Sequence, residues 1–188
     1  MNVYDFDNTI YKGESALDFF FFLLWRDLRI AKYIPLVLYT TVKYKLCLTT
    51  VDGLFKTLDK YVMEIIEIVG DVDSVVKKFW DKNEHKIKRF YLEQKREDDI
   101  IISAGIDFLL EEMLRRLGIK NYLCTEIDLK SGEIISFCYN RNKVSLFEHK
   151  FPDVEIEAFY TDSLNDLPMI RKAKNAYLVK YKMIKKIK

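Results

Sequence analysis

Across residues 98–180, short apolar runs alternate with segments of helical period, and this alternation restricts the fold more than any other feature of the chain. The run "DIIISAG" ends in small residues, and "IDFLLEEMLRRLG" after it reads as an amphipathic helix closed by Gly118. "NYLCTEIDLKSGEIISF" reads as two short strands turning at Lys130, Ser131 and Gly132. A helical stretch around "KVSLFEHKF" then leads to the strand "EIEAFYTDS", the helix "LNDLPMIRKA" and the strand "NAYLVK". Such alternation predicts an α/β fold whose core is a Rossmann-like parallel sheet covered by helices. The strand that opens the chain, leading into "VYDFDNTIY", is assigned to the same sheet.

Residues 14–96 have a different texture. "DVDSVVKKFWDKNEHKIKRFYLEQKRED" is expected to be one helix capped by Asp73 or Ser74. Val76, Phe79, Trp80, Asn83, Ile87, Phe90 and Tyr91 recur along it at helical spacing. The expected organisation is an α/β core of residues 1–12 and 98–188, with a helical cap of residues 13–97 inserted after the first strand. No repeat, low-complexity stretch or Gly/Ser linker interrupts it.

Composition narrows the class. With 49% hydrophobic and 32% charged residues, the 188-residue chain can bury a core and remain soluble. Its 31 basic and 29 acidic residues leave a net charge of +2, which gives no reason to expect a nucleic-acid partner. The basic end "KYKMIKKIK" reads as a solvated tail. Cys47, Cys124 and Cys138 are far apart with no CxxC spacing, so reduced thiols in a cytoplasmic protein are expected. No signal peptide precedes the first strand. The apolar runs "ALDFFFFLLW" and "YIPLVLYTTV" are separated by the four charges of "RDLRIAK". Each is about 10 residues long against the ~20 a bilayer crossing needs, so no transmembrane segment is expected. Peripheral membrane contact through such an apolar helix stays open. The sequence assigns no oligomeric state.

The chemistry concentrates at expected strand ends. Asp5 and Asp7 flank one residue, and side chains two apart on a strand share a face. Two carboxylates in one small volume need a cation or a shared proton. Ligands of such sheets bind beyond the carboxyl ends of the strands. There "DFDNT", "SAG" and "YTDSLND" would bring together Asp5, Asp7, Thr9, Ser103, Asp162, Asn165 and Asp166. Converging carboxylates suit a hard cation, for which Mg²⁺ is the expected choice. Ser103 and the backbone amides after it, Ala104 first among them, would open a helix near Ile106 and form an anion site. Lys143 adds a positive charge, and the set suggests phosphoryl transfer.

These motifs resemble the haloacid-dehalogenase-like superfamily of phosphatases, and its phosphoserine-phosphatase-like branch in particular. "DFDNT" matches the first family motif, Asp-x-Asp-x-Thr. The serine of "IISAG" matches the second, Lys143 in "CYNRNKV" the third and "TDSLND" the acidic fourth. The resemblance spans the expected core, and the cap matches by position. It implies that Asp5 attacks phosphorus to form an aspartyl-phosphate and that Asp7 serves as acid and then base. It further implies Mg²⁺ on Asp5, the Asp7 carbonyl and Asp162. Asp166 would orient metal-bound water and Lys143. Ser103 and Lys143 would hold phosphoryl oxygens, and Asn165 would touch the phosphate or product.

Glu14 stands where phosphoserine phosphatases read a substrate amine, although a surface acid at a hinge is the favoured reading of this residue. Two departures weaken an amino-acid substrate: the second motif is SAG, and Asn140 replaces a glycine before the lysine. The implied activity is Mg²⁺-dependent hydrolysis of a small phosphomonoester. A lipid-phosphate (phosphatidylglycerophosphate-like) phosphatase, a phosphomutase and a non-catalytic phosphate-binding module are the alternatives.

Overall fold

The computed structural model describes residues 1–45, 61 and 63–188. Cys47 lies outside them, as does part of the expected cap. Seven strands form one sheet: β1 (Asn2–Tyr4), β2 (Ile100–Ile106), β3 (Asn121–Ile127), β4 (Ile134–Ser136), β5 (Ala158–Thr161), β6 (Asn175–Lys180) and β7 (Met183–Lys186). Their spatial order is β4-β3-β2-β1-β5-β6-β7. The five central strands run parallel, and β4 and β7 close the edges antiparallel. The first strand is therefore the middle of the sheet. A strand there is covered on both faces, which is why β1 is buried throughout and β2 opens on the apolar run Ile100–Ile102.

The covering layers differ. On one face Val3, Ile100, Ile102, Leu123 and Phe159 pack with Phe147, Met169 and Ile170. The last three belong to α6 (Arg141–Lys150) and α7 (Leu167–Lys172). The opposite face carries Tyr4, Phe6 and Ile101, which share one cluster with α5 (Asp107–Arg116) and the inserted helices. The helices described between β1 and β2 are α1 (Ser15–Arg26), α2 (Ile34–Lys45), α3 (Val72–Asn83) and α4 (Arg89–Gln94). Val75, Val76, Phe79 and Trp80 of α3 are buried, and the Trp80 indole donates to the Leu109 carbonyl at 2.6 Å. A buried indole N–H needs such a partner. Tyr4, Tyr160 and Tyr177 occupy paired positions on three adjacent strands and stack with ring centroids 4.6 and 4.8 Å apart.

Two expectations are corrected. The segment expected as one long helix is two. Asp71 caps the first by accepting from the Ser74 amide at 3.0 Å, and the helix ends at Asn83. A 3-10 turn (Glu84–Lys86) follows, because the backbone here is captured by the loop after β1. Lys12 N donates to the Lys86 carbonyl, Lys88 N donates to the Ile10 carbonyl, and Tyr11 bridges Ile87. The basic C-terminal run is also not a free tail. Its residues pair with β6 as β7, through a turn in which Tyr181 takes φ 53°. All four β7 residues are exposed, and the lysines on this edge oppose pairing with another chain.

Asp99, just before β2, is fully buried. Its Oδ2 accepts from the Arg96 amide at 2.8 Å, while Oδ1 and the nearby Tyr91 hydroxyl have no partner among the described residues. Burial pushes the Asp99 carboxyl up to about 6. The folded state thus holds this proton more tightly than the unfolded chain, and Asp99 destabilises increasingly as pH rises from about 4 to about 6. We expect Asp99→Asn to stabilise the fold at pH 8 by roughly 1–2 kcal/mol, the usual cost of one unpaired buried polar atom. The gain should shrink at pH 4.5, as urea unfolding at the two pH values would show.

Candidate active site

At the carboxyl end of β1 the chain turns sharply. The amides of Thr9, Ile10 and Tyr11 all converge on the Phe6 carbonyl, and Asn8 takes φ 55°. Asp5 still belongs to the ladder, its amide donating to the Tyr160 carbonyl of β5 at 2.9 Å. Phe6 points into the core as Asp5 and Asp7 frame the opposite side. Asn and Asp adopt positive φ more readily than other non-glycine residues, which suits Asn8 to this turn.

Asp5 lies against Lys143. The ammonium donates to Asp5 Oδ1 at 2.9 Å and to Asp166 Oδ2 at 3.1 Å. Lys143 is the only Lys or Arg buried among the described residues. Thr9 Oγ1 donates to Asp5 Oδ2 at 3.3 Å, and Thr161 Oγ1 donates to Asp166 Oδ2 at 2.8 Å. Burial drives the Asp5 carboxyl upward; Lys143 opposes it, while Asp166 and Asp162 add to it. Asp162, partly buried, is likewise raised by burial first, with Lys180 opposing and Asp166 adding. Although burial alone would lower it, Lys143 is held far above the ordinary lysine range by Asp5 and Asp166. It stays charged.

Asp7 stands apart from that cluster. Its Oδ1 accepts from the Ser15 amide at 2.7 Å, at the start of α1. Burial, then repulsion from Glu14, pushes its carboxyl up to about 8. Glu14 accepts from the Asn8 side chain at 2.6 Å and so borders the same loop. Ser103 is buried within β2, and its Oγ accepts from the Gly105 amide at 3.0 Å. The strand runs on to Ile106, and the helix begins only at Asp107. Ala104 uses its carbonyl to accept from Thr125 Oγ1. A Cβ on Gly105 would sit 2.7 Å from Leu110 Cδ1, so close packing of strand on helix needs glycine there. Asn165 is exposed on a 3-10 turn (Leu164–Asp166), its amide donating to Ser163 Oγ.

The structure thus brings together Asp5, Thr9, Lys143, Asp162 and Asp166, with Asp7 and Glu14 on the adjoining loop. Asn165 does not join them by any hydrogen bond of its side chain among those described. Sequence reasoning missed Ser15, Thr161 and Lys88. Lys88 reaches from the inserted segment to donate to the Asn8 carbonyl, and burial lowers its pKa. Among the described residues, no three His, Cys, Asp or Glu side chains form a ready-made metal cluster.

Comparison with known proteins gives the family and the fold. The family model for haloacid dehalogenase-like hydrolases matches residues 3–171, and the chain belongs to that family. No curated protein sequence matches it. A Bordetella pertussis Tohama I protein of unknown function shares the fold at TM-score 0.72 and 14% identity, over 94% of this chain and 87% of that one. A phosphoserine phosphohydrolase-like protein from Francisella tularensis subsp. tularensis SCHU S4 matches at TM-score 0.58 and 17% identity, over 94% and 86%. A haloacid dehalogenase family hydrolase from Salmonella enterica subsp. enterica serovar Typhi matches at TM-score 0.57 and 16% identity, over 91% of this chain and 59% of that one.

Removing Lys143 isolates the electrostatic term. Lys143→Met should destabilise the fold by about 3–5 kcal/mol near pH 8, where Asp5 and Asp166 would be left charged and unpaired. Burial raises the Asp5 carboxyl, so acid neutralises it more readily in the folded than in the unfolded state, and the deficit should narrow toward pH 5. Urea denaturation across that range measures it, and a pH-independent deficit would count against the charge argument.

Proposed function

We propose that this hydrolase is a Mg²⁺-dependent phosphatase of a small phosphomonoester, working through an aspartyl-phosphate on Asp5. The observation that carries the reading is the ion pair of Lys143 with Asp5 and Asp166 at the carboxyl end of the sheet. Lys143 opposes the upward push of burial on Asp5 and so favours the charged carboxylate, which attacks without a separate base. Asp5 forms a bond to phosphorus as the bond from phosphorus to the leaving oxygen breaks. Asp7, whose raised pKa leaves it protonated near neutrality, gives its proton to that oxygen. Water then displaces Asp5 from phosphorus and yields a proton to Asp7, which restores the starting state. Lys143 and Ser103 contact the phosphoryl oxygens, and Asn165 borders the product.

The donor chemistry fits Mg²⁺. Asp5, Asp162 and Asp166 repel one another, and only Lys143 is buried among them, so a further cation relieves the excess of negative charge. Asp5, the Asp7 carbonyl and Asp162 would hold it, with Asp166 behind. Bound there, Mg²⁺ would supply charge neutralisation for an anionic substrate. Residues 13–97 serve in this reading as the cap that selects substrate, with Glu14 at its edge, and the enzyme works in the cytoplasm. Asp5→Asn should lower turnover of an aryl phosphate by ~10⁴-fold or more, since the amide neither attacks nor ligates well. EDTA should silence the wild type and Mg²⁺ restore it. Full activity after exhaustive chelation would remove the metal from the mechanism.

A lipid phosphomonoester is the second reading, favoured by one surface. Phe21, Trp25 and Leu28 are 50%, 89% and 81% exposed along and just beyond α1, beside exposed Arg26. No helix among the described residues is long and apolar enough to cross a membrane, so contact would be interfacial. Flotation with phosphatidylglycerol vesicles should carry the wild-type protein upward and lose a Trp25→Ser/Leu28→Ser variant. Equal failure of both proteins to float would leave the small-molecule reading alone.

A further inference from the structure

Lys88 is a cation with donors to spare at the rim of the site. It stands just before α4, where the inserted segment returns to the core, and its partly buried ammonium donates to the Asn8 carbonyl. That carbonyl is neutral and uses one of the three ammonium hydrogens. Lys88 forms no ion pair among the described residues, although burial has removed part of its water. Its neighbours differ: Lys86 pairs with Asp18, and Lys143 pairs with Asp5 and Asp166.

Lys180 comes to the same rim from the sheet. Thr161 of β5 pairs with Leu178 of β6, so Asp162 leaves β5 as β6 reaches its last residues, Val179 and Lys180. The Lys180 side chain is exposed. Its charge and that of Asp162 both act on Lys88, and Lys180 also acts on Asp162, which puts the three groups within reach of one another. Neither Asp5 nor Lys143 is among the charges that act on Lys88, so Lys88 stands away from the attacking carboxylate. The two ammonium groups repel each other, and Asp162 answers only one positive charge. In the proposed reading Asp162 is also committed to the metal. One carboxylate on a ligand would leave a lysine unanswered, whereas a phosphate dianion matches both, and lysine binds phosphate as a point charge.

We propose that Lys88 and Lys180 form a second anion subsite, which takes a phosphate dianion at the far end of a small substrate while Asp5 attacks the phosphate beside Lys143. The substrate class is a small bisphosphorylated compound. The inference rests on the proposed phosphatase reading and names the substrate of that same site. It adds no chemical step, because the distal phosphate is bound and not transferred.

The test compares three substrates with the same kind of leaving alcohol: n-butyl phosphate, phosphooxybutanoate with a terminal carboxylate, and butanediol bisphosphate with a second phosphate. Their flexible chains let the second charge reach its partners. With Mg²⁺ present, wild-type kcat/KM should favour the bisphosphate over butyl phosphate by about 10-fold or more, the lower end of what a cleft of one charge adds to capture of the opposite charge. The terminal carboxylate should gain less. Lys88→Gln keeps a donor for the Asn8 carbonyl and loses the charge. It and Lys180→Gln should each lower the bisphosphate-to-butyl ratio by roughly 3-fold or more. Lys88→Arg should preserve the ratio, and added NaCl should reduce it in the wild type. Each ratio is measured on one preparation, so partial misfolding does not alter it. A wild type without the preference, a ratio unmoved in either glutamine variant, or an equal gain from carboxylate and phosphate would overturn the subsite. Failure of the underlying reading would look different: the wild type with Mg²⁺ would release no phosphate from any of the three or from an aryl phosphate, and both conclusions would go together.

Discussion

The buried ammonium of Lys143 between Asp5 and Asp166 ties together three parts of the chain that are distant in sequence. Asp5 ends the central strand, Lys143 lies in α6, and Asp166 ends the turn after β5. Burying such ions is costly, and only close, fully hydrogen-bonded geometry offsets the loss of water. Thr9 and Thr161 supply the remaining donors to the two carboxylates. The arrangement has a chemical consequence. Lys143 is already shared by two anions, so it cannot by itself attract a phosphate dianion against the carboxylates around it. In the proposed reading a second cation would offset that balance, which ties the proposed metal to the charges of this chain.

The loop after β1 joins chemistry to the inserted helices. Lys12 and Ile10 hydrogen-bond with the backbone at Lys86 and Lys88, and Tyr11 bridges Ile87. Side chains reinforce the join: Asp18 accepts from the Tyr11 hydroxyl at 2.6 Å and from Lys86 at 3.0 Å. Movement of the return segment would therefore pull on the residues that directly follow Asp7. The Lys88 ammonium on the Asn8 carbonyl adds a contact one residue from it. In this geometry, α1 starts with a residue bonded to Asp7, and the inserted segment comes back through a residue bonded to its neighbour.

Much of the sheet was legible because its signals are local. Apolar runs of strand length between amphipathic helices mark a covered parallel sheet, and β6 matches "NAYLVK" residue for residue. Asp5 and Asp162 were legible because they directly follow strands, where the topology sends side chains to one place, and Lys143 reaches Asp5 and Asp166 from α6. What failed depends on contacts between distant segments. Helical spacing continues through Ile87 and Tyr91, and both are buried as the pattern implies, yet the helix breaks where the Ile10–Lys12 backbone competes for its hydrogen bonds. The strand β7 lacked any signal in charge or hydropathy, since its pairing is all backbone and its side chains are exposed. Ser15 was invisible because a serine at a helix start is ordinary; its importance comes from what its amide meets.

The position of Asn140 shows how a departure from a family pattern is reconciled in backbone terms. The residue has φ 48° and ψ −118°, and the Asn142 amide donates to the Tyr139 carbonyl at 3.0 Å. Together these describe a tight turn with its strained first central residue at 140, where glycine is preferred. Asparagine tolerates positive φ best in the left-handed helical region, so at ψ −118° the turn carries a conformational cost on the order of 1–3 kcal/mol that the surrounding structure holds. That turn directly starts α6 and aims Lys143 at Asp5. A β-branched residue at 140 would be expected to disturb the ion pair through the backbone, without touching either charge.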